Sequence, residues 1–480
     1  MSGRTWQGLP EGFTVRLGRH TRVADGGAVL VGGTPTRVAR LKPPAAAQLR
    51  DGAVVVRDAA SAALAEHLMA TGMADPVAST LPPVGLERLT VVVPVKDRPD
   101  QLRRLLTSLP AGVAATIVVD DGSRSPDAVA RVAREHGATL IPRPVSGGPA
   151  AARNDGLGRV ETEFVAFVDS DAVVDAGCFE TLLRHFADPA LALVAPRVLG
   201  LETTAPNWIT RYENARSSLD LGRDAGSVRP RSRITWLSST CVVARVDLLR
   251  GLQPEGFDGT MHVAEDVDLV WRLVDAGHRV RFDPTASVRH EHRTRLRRWL
   301  GRKFFYGTGA EALARRHPGD VAPVVLPPWG AIVLLAAVAQ RRWSTPVIAV
   351  TAAVVTVRIA RRLPHVRRRW RLSARLTGYG LSAVGAQGVA LLVRHWWPLT
   401  AVGGLFSRRV RRAAAVAAVA DAVWEYLRLR PDMDPVRFAA ARRLDDLAYG
   451  AGVWWGALRG RSARALLPAI TGGRRADSRR

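Results

Sequence analysis

Two hydrophobic segments of this chain each end in a cluster of carboxylates. The first covers residues 89–123, LTVVVPVKDRPDQLRRLLTSLPAGVAATIVVDDGS, and the second covers residues 164–171, FVAFVDSD. Apolar runs such as VVVPV are typical of parallel strands covered on both faces, and ligands bind at the carboxyl ends of such strands. A group of carboxylates at such strand ends is suited to bind a nucleotide together with a divalent metal ion. One crevice is therefore predicted to contain Asp97, Asp120, Asp121, Asp169 and Asp171.

The segment from residue 86 to residue 310 is predicted to be one α/β domain. After LTVVVPV, the sequence predicts a helix at DQLRRLLTSL, a strand at ATIVVDD and a helix at DAVARVAREHG. The alternation continues through the strand EFVAFVD to the strand LALVAPRV. This order of elements is typical of a nucleotide-binding half-sheet.

Residues 1–80 are predicted to form a small module of strands and helices. FTVRLG and AVLVGG have strand character, whereas PPAAAQLRDG and ASAALAEHLMATGM have helix character. The Pro-rich stretch VASTLPPVG then separates this module from the next domain. The module resembles the winged-helix recognition modules of enzymes that modify ribosomal peptides, and a plain structural cap is the alternative.

The region from residue 320 to residue 480 is predicted to be helical and partly apolar. Residues 320–406 contain the uncharged run VAPVVLPPWGAIVLLAAVA, whose length is near that of one membrane crossing. Arg clusters flank this and the later apolar segments, which favours re-entrant or interfacial attachment to anionic lipids. Full spanning and packing on the catalytic domain are the alternatives. Residues 407–480 are expected to be helical with a disordered tail, and a stripe including Leu447 and Leu458 is expected to be core or a partner contact.

The composition of the chain indicates which binding partners and which cellular compartment to expect. The 480-residue chain has a formal net charge of +26, which indicates anionic partners. Nucleic acid is not expected among them, because no basic run with interleaved aromatics and no zinc or helix-turn-helix pattern occurs. The two cysteines, Cys178 and Cys241, suggest no disulfide framework, and the N-terminus lacks an apolar signal core. The cytoplasmic face of the cell membrane is the predicted location, with integral membrane insertion as the alternative.

The spacing of DDGS and DSD resembles the family 2 inverting glycosyltransferases, which have the GT-A fold for nucleotide-diphospho-sugar transfer. The resemblance covers residues 88–300. It implies a nucleotide-sugar site in which Asp97 and Asp121 hold the uracil and the ribose, with Pro94 beside them. It also implies that Arg153, in a GxxxARN-like segment, meets a phosphate or the donor sugar, although a solvated helix position is the alternative.

The same resemblance implies a divalent metal ion, Mg²⁺ or Mn²⁺, at the second carboxylate cluster. Both ions prefer oxygen ligands and bridge substrate phosphates with few protein carboxylates. Asp171 is the predicted direct ligand, and Asp169 is predicted to bind the ribose or a metal-bound water. His290 lies where several relatives supply a third ligand, and a structural histidine is the alternative.

The segment GFDGTMHVAEDVDLVWRLVDAG resembles the acceptor half of these enzymes. An inverting transferase needs one base to take the proton of the attacking hydroxyl. The resemblance assigns that role to Asp266 and a supporting role to Glu265. An acidic first turn that stabilises the helix dipole is the alternative.

A short motif after this segment reads RxxRW, with Arg295, Arg298 and Trp299. It is similar to a motif of processive β-glycan synthases, in which the Trp packs on the acceptor sugar and an Arg meets the diphosphate. Stacking of a sugar on an aromatic face is physically reasonable. A chance match in an Arg-rich stretch is the alternative.

The whole chain, from the N-terminal block to the tail LDDLAYGAGVWWGAL, resembles the actinobacterial glycosyltransferases of the mycofactocin system. This resemblance implies transfer of hexose, expected to be glucose from a UDP-sugar, to a peptide-derived redox cofactor as a β-linked oligosaccharide. One alternative is a transferase that builds a lipid-linked or cell-surface polysaccharide. Another is a basic, membrane-bound adaptor that keeps the fold without catalysis.

Overall fold

The computed structural model describes residues 8–364 and 366–471, which form two compact units. The first unit combines the chain up to Thr204 with Ser217–His292, and the second combines Ala205–Arg216 with the chain from Arg293 onward. The first unit therefore ends at His292, whereas the sequence predicts an α/β domain that extends to residue 310. The predicted disordered tail, residues 472–480, lies outside the described residues.

The N-terminal block forms two small three-stranded sheets and two helices around its own apolar core. Asp58 and Ser61 form a capping box that starts the second helix. The block packs on the sheet domain of the same unit, because Arg229 donates to the carbonyl oxygens of Ala70 and Thr34, both at 2.7 Å. A cavity of about 660 Å³ lies along this contact. The elements are β1 (Thr14–Leu17), β2 (Arg22–Ala24), β3 (Val29–Gly32), β4 (Arg37–Arg40), α1 (Pro43–Gln48), β5 (Ala53–Val55), α2 (Ala59–Ala70) and β6 (Ala74–Pro76).

A nine-stranded mixed sheet forms the centre of the first unit. Its strands are β7 (Leu89–Val95), β8 (Ala115–Asp120), β9 (Thr139–Pro142), β10 (Phe164–Val168), β11 (Ala172–Val174), β12 (Leu191–Gly200), β13 (Gly226–Ser227), β14 (Cys241–Arg245) and β15 (Arg279–His290). Their spatial order is β11-β15-β12-β14-β10-β7-β8-β9, and β13 pairs with β15. All seven residues of β7 and all five of β10 are buried, as expected for strands covered on both faces. The predicted α/β fold is confirmed.

The strand order creates the expected crevice. β7 lies between β8 and β10 and is parallel to both. After β7 the chain forms β8 on one side of this strand, and it later forms β10 on the other side. Such a reversal is the point at which open α/β sheets bind ligands. The helices of the sheet domain are α3 (Pro99–Ser108), α4 (Pro126–Glu135), α5 (Gly148–Leu157), α6 (Cys178–Arg184), α8 (Val246–Arg250) and α9 (Glu265–Asp275). Helix α7 (Trp208–Arg216) follows β12 in the chain and belongs to the second unit.

Helix α5 approaches the sheet closely because Gly156 has no side chain. A Cβ at this position would lie 2.3 Å from Cγ1 of Val92, far closer than a packing contact allows. The close approach brings the first turns of α5, with Arg153 and Asn154, against the carboxyl ends of the strands.

The second unit is mostly helical. Its elements are α7, α10 (Leu296–Arg316), β16 (Val325–Leu326), α11 (Pro328–Ala339), α12 (Ser344–Arg362), α13 (Arg369–Ala390), α14 (Trp397–Phe406), α15 (Arg408–Leu429), α16 (Pro435–Arg459) and β17 (Ala469–Ile470). Helices α10 and α16 touch through backbone at Gly452, where a Cβ would lie 2.0 Å from the carbonyl oxygen of Phe304. Ser344–Arg362 and Arg369–His395 are long and apolar enough to cross a membrane, with mean hydropathies of 1.3 and 1.4. Core helices of globular proteins can have the same length and apolar composition. These two properties therefore do not by themselves place the helices in a bilayer.

The predicted apolar stripe of α16 is not a core stripe along its whole length. Leu447 is 40% exposed and Leu458 is 69% exposed. The buried residues of α16 include Asp445 and Asp446 as well as apolar side chains such as Phe438 and Val453. These carboxylates are stabilised by ion pairs, among them Arg394 to Asp446 at 2.8 Å, and this pairing makes their burial possible.

Candidate active site

Asp97 lies just beyond the carboxyl end of β7 and faces the turn after β8. Its backbone has a φ of +56°, a left-handed conformation that Asp tolerates better than most residues. Its Oδ1 accepts the backbone N–H of Arg124 at 2.7 Å, and its own N–H donates to Oγ of Ser123. The hydrogen bond from the Arg124 backbone and the charge of the Arg124 side chain lower the pKa of Asp97. An ionised, partly exposed acceptor therefore stands at this edge of the sheet.

Asp121 anchors the loop that precedes α5. Its two oxygens accept hydrogen bonds from the backbone N–H groups of Gly147 and Gly148 and from the hydroxyl of Ser146, at 2.6–2.9 Å. Arg143 adds an ion pair at 3.0 Å. Since a carboxylate offers about four acceptor sites, these partners occupy it, and the residue is buried. In this conformation Asp121 therefore shapes the crevice wall, whereas the sequence analysis expected a direct nucleotide contact.

The DSD segment meets the end of β15 through strand pairing. β11 pairs with β15 in a register that places Ala172 opposite His290, so the preceding Asp171 lies beside the imidazole. Nε2 of His290 is 3.5 Å from Oδ1 of Asp171, and Arg98 forms an ion pair with Oδ2. Burial raises the pKa of Asp171, but the hydrogen bond and charge of His290 and the charge of Arg98 outweigh it and lower the pKa well below its ordinary value.

The buried Arg153 guanidinium connects two carboxylates that lie on different elements of the crevice. Nη2 donates to Oδ1 of Asp169 at 2.7 Å, and Nη1 donates to Oε1 of Glu265 at 3.2 Å. The guanidinium also lies over the ring of Phe257, 5.2 Å from its centroid. Burial lowers the pKa of Arg153, but the charges of Asp169 and Glu265 outweigh this and raise it. The side chain is only 3% exposed, so in this conformation it organises carboxylates, and the predicted contact with a phosphate or sugar is not available to it.

Asn154, the neighbour of Arg153, fixes the GFD turn. Its side chain donates to the carbonyl oxygen of Phe257 at 2.7 Å and accepts the N–H of Phe257 at 2.9 Å. Gly256 has a φ of +60°, and a Cβ there would lie 2.6 Å from Oδ1 of Asn154. The sequence alone predicts no role for Asn154, although its position in the ARND segment is a signal that could indicate one.

Glu265 and Asp266 begin helix α9, directly after a strained residue. Ala264 has a φ of +64°, which is uncommon for a residue with a Cβ. Asp266 accepts the N–H groups of Val267 at 2.8 Å and Ser239 at 3.3 Å, and it keeps part of its surface exposed. Burial and the neighbouring Glu265 charge raise the pKa of Asp266 to about 7. A carboxylate with a pKa near neutrality is suited to accept and release a proton under physiological conditions.

The donor atoms near DSD fit a single divalent ion. Asp171 supplies carboxylate oxygens and His290 supplies an imidazole whose Nδ1 is buried and makes no hydrogen bond within the described residues. Oxygen with one imidazole nitrogen is a ligand set that Mn²⁺ accepts and that substrate phosphates can complete. Asp169 is held by Arg153 instead. Within residues 8–364 and 366–471, no three His, Cys, Asp or Glu side chains are grouped closely enough to hold a metal alone.

Two sequence predictions do not fit the positions that the structure gives. Pro94 is buried within β7 opposite Val119, so its side chain is closed to a nucleotide. Trp299 lies in the core of the second unit, 2% exposed, and donates from Nε1 to Glu213 at 2.8 Å. Its ring contacts other aromatic rings and has no face open for a sugar. Arg295 and Arg298 are exposed at the start of α10.

Arg98 is a second residue of this site, besides Asn154, for which the sequence predicts no role. It follows Asp97 directly and forms an ion pair with Asp171 across the crevice. The only local signal was an Arg beside a predicted nucleotide ligand. The pairing depends on the parallel neighbours β7 and β10, whose ends the fold brings together.

Comparisons with known proteins agree with this architecture. Residues 90–251 match the family model described as glycosyl transferase family 2. Pre-mycofactocin glycosyltransferase from Mycobacterium tuberculosis (strain H37Rv) is 42% identical over 477 residues, which cover 96% of this chain and 98% of that protein. An uncharacterized glycosyltransferase of the same strain is 35% identical over 130 residues, covering 26% of this chain and 55% of its own.

Among solved structures, a mannosyltransferase from Pyrobaculum calidifontis in complex with GDP-Man and Mn²⁺ is similar to 65% of this chain. The similarity covers 88% of that protein, with 18% identity and a TM-score of 0.36. The near full-length match to the mycobacterial relative, together with the carboxylates that the fold gathers at one sheet edge, assigns the family. This chain belongs to the pre-mycofactocin glycosyltransferases, within glycosyl transferase family 2.

Proposed function

We propose that this glycosyltransferase of the mycofactocin pathway moves a hexose, glucose from a UDP-sugar, onto the peptide-derived cofactor with inversion at the anomeric carbon. The product is a β-linked oligosaccharide built by repeated transfer. The observation that carries the proposal is the Asp266 carboxylate, which has a pKa near 7 and lies beside the Arg153–Asp169 pair at the ends of the strands. A base and a nucleotide-facing carboxylate are thus within one crevice.

The donor side of the crevice holds the nucleotide diphosphate sugar. Asp97 offers an ionised acceptor for the hydroxyl or N–H groups of the nucleoside. Gly147 and Gly148 let the backbone approach the ligand, in a loop that Asp121 holds in place. Asp171 and His290, with Asp169 nearby, would hold the divalent ion, Mg²⁺ or Mn²⁺. When bound, the ion neutralises the charge of the departing nucleoside diphosphate.

The acceptor side of the crevice supplies the base. The acceptor oxygen forms a bond to the anomeric carbon from the face opposite the leaving group, and the bond from that carbon to the diphosphate oxygen breaks. The proton of the acceptor hydroxyl passes to Asp266, and the electron pair leaves with the diphosphate. Glu265, fixed by Arg153, keeps a negative charge beside Asp266 and so maintains its basicity.

The N-terminal block contributes to recognition of the peptide-derived acceptor in this proposal. The cavity between it and the sheet domain is lined by the exposed Arg16 and Arg223, which suit an acidic peptide segment. Because the block packs on the sheet domain, substitutions of these side chains test the idea more directly than truncation does. Arg16→Gln with Arg223→Gln is expected to raise the KM for the native acceptor without changing donor hydrolysis.

The decisive experiment offers the purified protein two acceptors and one donor. Transfer from UDP-glucose to the mycofactocin precursor, followed by NMR of the new anomeric centre, should show β-linked product. Transfer to a polyprenyl-phosphate sugar instead would favour the polysaccharide alternative. If neither acceptor is used and the donor is not hydrolysed with Mn²⁺ or Mg²⁺, the protein is an adaptor and the proposal is wrong.

A further inference from the structure

The exposed apolar surface of this protein is concentrated in one unit. Among the described residues, the first unit exposes the large apolar side chains Val23, Val55 and Val145, and all others of this kind belong to the second unit. Only 11% of the apolar window of α12 and 28% of that of Arg369–His395 is buried. Exposed apolar side chains concentrated in one region indicate a site that contacts a membrane or a partner molecule.

The same part of the chain is uniformly basic. Residues 321–420 contain fifteen Arg and no Lys, Asp or Glu. A surface with this composition repels other cations and attracts anions over distances of about 10 Å at ordinary ionic strength. The partner of this region is therefore negatively charged and also able to accept apolar side chains.

Two connections between helices of the second unit bring basic and apolar side chains together. Gln340, at the end of α11, donates to the carbonyl oxygen of Arg409 at 2.9 Å and accepts from Nε of Arg412 at 2.5 Å. Arg411 donates to the carbonyl oxygen of Gly404 at 2.6 Å. These bonds place the α11–α12 turn beside the α14–α15 turn. We name the exposed side chains there the tip surface: Arg341, Arg342, Trp343, Leu405, Phe406 and Arg408.

The tip surface has the chemistry of a membrane-interface anchor. Leu405 is 75% exposed and Phe406 is 86% exposed, and burying two such side chains in an acyl phase is strongly favourable. Trp343 is 52% exposed beside Arg342, and Trp residues favour the headgroup level of a bilayer. Guanidinium groups next to these side chains pair with lipid phosphates.

We propose that the tip surface attaches this protein to an anionic lipid bilayer, with α12 along the interface and not across it. The uncharged stretch of α12, residues 343–357, is fifteen residues long and extends for about 22 Å. The hydrocarbon core is about 30 Å thick and requires about 20 apolar residues. Arg342 and Arg358 at the two ends would therefore enter the hydrocarbon if α12 spanned it, which is costly. Both ends reach headgroups when the helix lies in the interface.

Two other occupants fit the tip surface less well. A second copy of this chain would bring an identical basic surface against it, and like charges across an interface are unfavourable. A nucleic acid would pair with the Arg side chains but would leave Leu405 and Phe406 without an apolar environment. A bilayer with anionic headgroups matches both the charge and the apolar exposure.

The test is flotation of the full-length protein with lipid vesicles. Vesicles of phosphatidylcholine with about 30% phosphatidylglycerol are compared with vesicles of phosphatidylcholine alone, at low and high salt. The wild type is expected to float with the anionic vesicles and to bind less at high salt. Arg341→Gln with Arg342→Gln is expected to lower the partition coefficient about 30-fold, since each basic residue at the surface contributes about fivefold.

A second variant tests the apolar component. Leu405→Ser with Phe406→Ser is expected to lower the partition coefficient by about tenfold or more and to remove the binding that persists at high salt. The matched controls lie in the first unit: Arg131→Gln with Arg134→Gln on α4, and Val145→Ser, which is 75% exposed. They should leave partition unchanged. Donor hydrolysis and the unfolding temperature show that each variant is folded.

Four results would overturn the proposal. The first is equal binding to neutral and anionic vesicles, and the second is an equal loss of binding in the control variants. The third is that the wild type does not float and is a dimer in light scattering, and that Leu405→Ser with Phe406→Ser converts this dimer to a monomer. The fourth is binding of a short DNA or RNA duplex that Arg341→Gln with Arg342→Gln abolishes, without any flotation of the wild type.

Discussion

Arg153 donates a hydrogen bond to Glu265 although the two residues are separated by 112 positions in the sequence. The bond joins α5, which follows the donor-side loop, to the first turn of α9, which carries the proposed base. Arg153 also holds Asp169, so one buried side chain contacts a carboxylate on each side of the crevice. We expect this cation to couple the proposed donor and acceptor chemistry.

Replacement of Arg153 should therefore affect stability and catalysis together. In Arg153→Met, Asp169 and Glu265 lose their common partner, and removal of one member of a buried ion pair costs about 3–5 kcal/mol of unfolding free energy. Urea unfolding measures this loss. The matched control is Arg124→Met, since Arg124 pairs with Asp97 but its side chain is 90% exposed, and exposed pairs contribute about 0–1 kcal/mol. Equal losses in the two variants would contradict a central role for Arg153.

Asp266→Asn should retain donor binding and lose transfer. The amide keeps the shape and can keep the hydrogen bond from Val267 on its one oxygen, but it cannot accept the proton of the acceptor hydroxyl. General-base catalysis contributes about 10²–10⁴-fold, so kcat should fall by about this factor while the Kd for UDP is unchanged. Stopped-flow transfer assays and calorimetry with UDP separate the two quantities. A parallel loss of UDP affinity would indicate a binding or structural role instead.

The raised pKa of Asp266 predicts opposite pH dependences for activity and stability. A base must be ionised, so kcat/KM should decline as the pH falls through about 7. The pKa of Asp266 in the folded protein lies above the ordinary pKa of an Asp side chain. Its contribution to the free energy of unfolding is therefore complete below the ordinary pKa and is lost as the pH rises from there through about 7. The unfolding temperature of Asp266→Asn should thus rise relative to that of the wild type as the pH increases from about 4 to about 7, and the difference should stay constant at higher pH. A wild-type rate profile that is flat across pH 7 would rule out this assignment.

Arg98 should compete with the divalent ion for Asp171. The guanidinium pairs with Asp171, and its side chain is 38% exposed, so it can withdraw into solvent. Arg98→Gln is expected to bind Mn²⁺ more tightly, by about tenfold if the ion pair is worth about 1.4 kcal/mol. Asp171→Ala should bind Mn²⁺ far more weakly and lose metal-dependent donor turnover. Electron paramagnetic resonance of free Mn²⁺ measures both effects without reliance on activity. Identical Mn²⁺ affinities in Arg98→Gln and the wild type would show that Arg98 does not compete.

Trp299 should support the fold of the second unit rather than the length of the glycan. Its ring packs edge-on against Tyr212 and Trp208, at centroid distances of 5.6 and 5.8 Å. Trp299→Ala is expected to cost about 3–5 kcal/mol of unfolding free energy. Trp299→Phe keeps a ring but removes the hydrogen bond to Glu213, so it should cost about 1–3 kcal/mol and leave product lengths unchanged. Shorter products from Trp299→Phe at unaltered stability would restore a sugar-stacking role.

The sequence by itself determined the sheet and the position of its crevice. Runs such as LTVVVPV and FVAFVD are buried on both faces only in the interior of a parallel sheet, so their order predicts β7, β8 and β10 and the carboxylates that follow them. These are local properties, because hydrophobic periodicity and the residues at strand ends can be read from neighbouring positions. The match of DDGS and DSD to a family pattern added the expectation of a nucleotide sugar.

Only the tertiary structure decided which of these carboxylates are open to a ligand. Asp121 and Asp97 both follow strands, but three hydrogen bonds and an ion pair occupy Asp121, whereas Asp97 stays partly exposed. Likewise, nothing near Trp299 in the sequence reveals that Glu213 and Tyr212 enclose its ring. The physical reason is that burial and hydrogen-bond saturation depend on partners far away in the chain. Those partners become neighbours only when the strands and helices have packed.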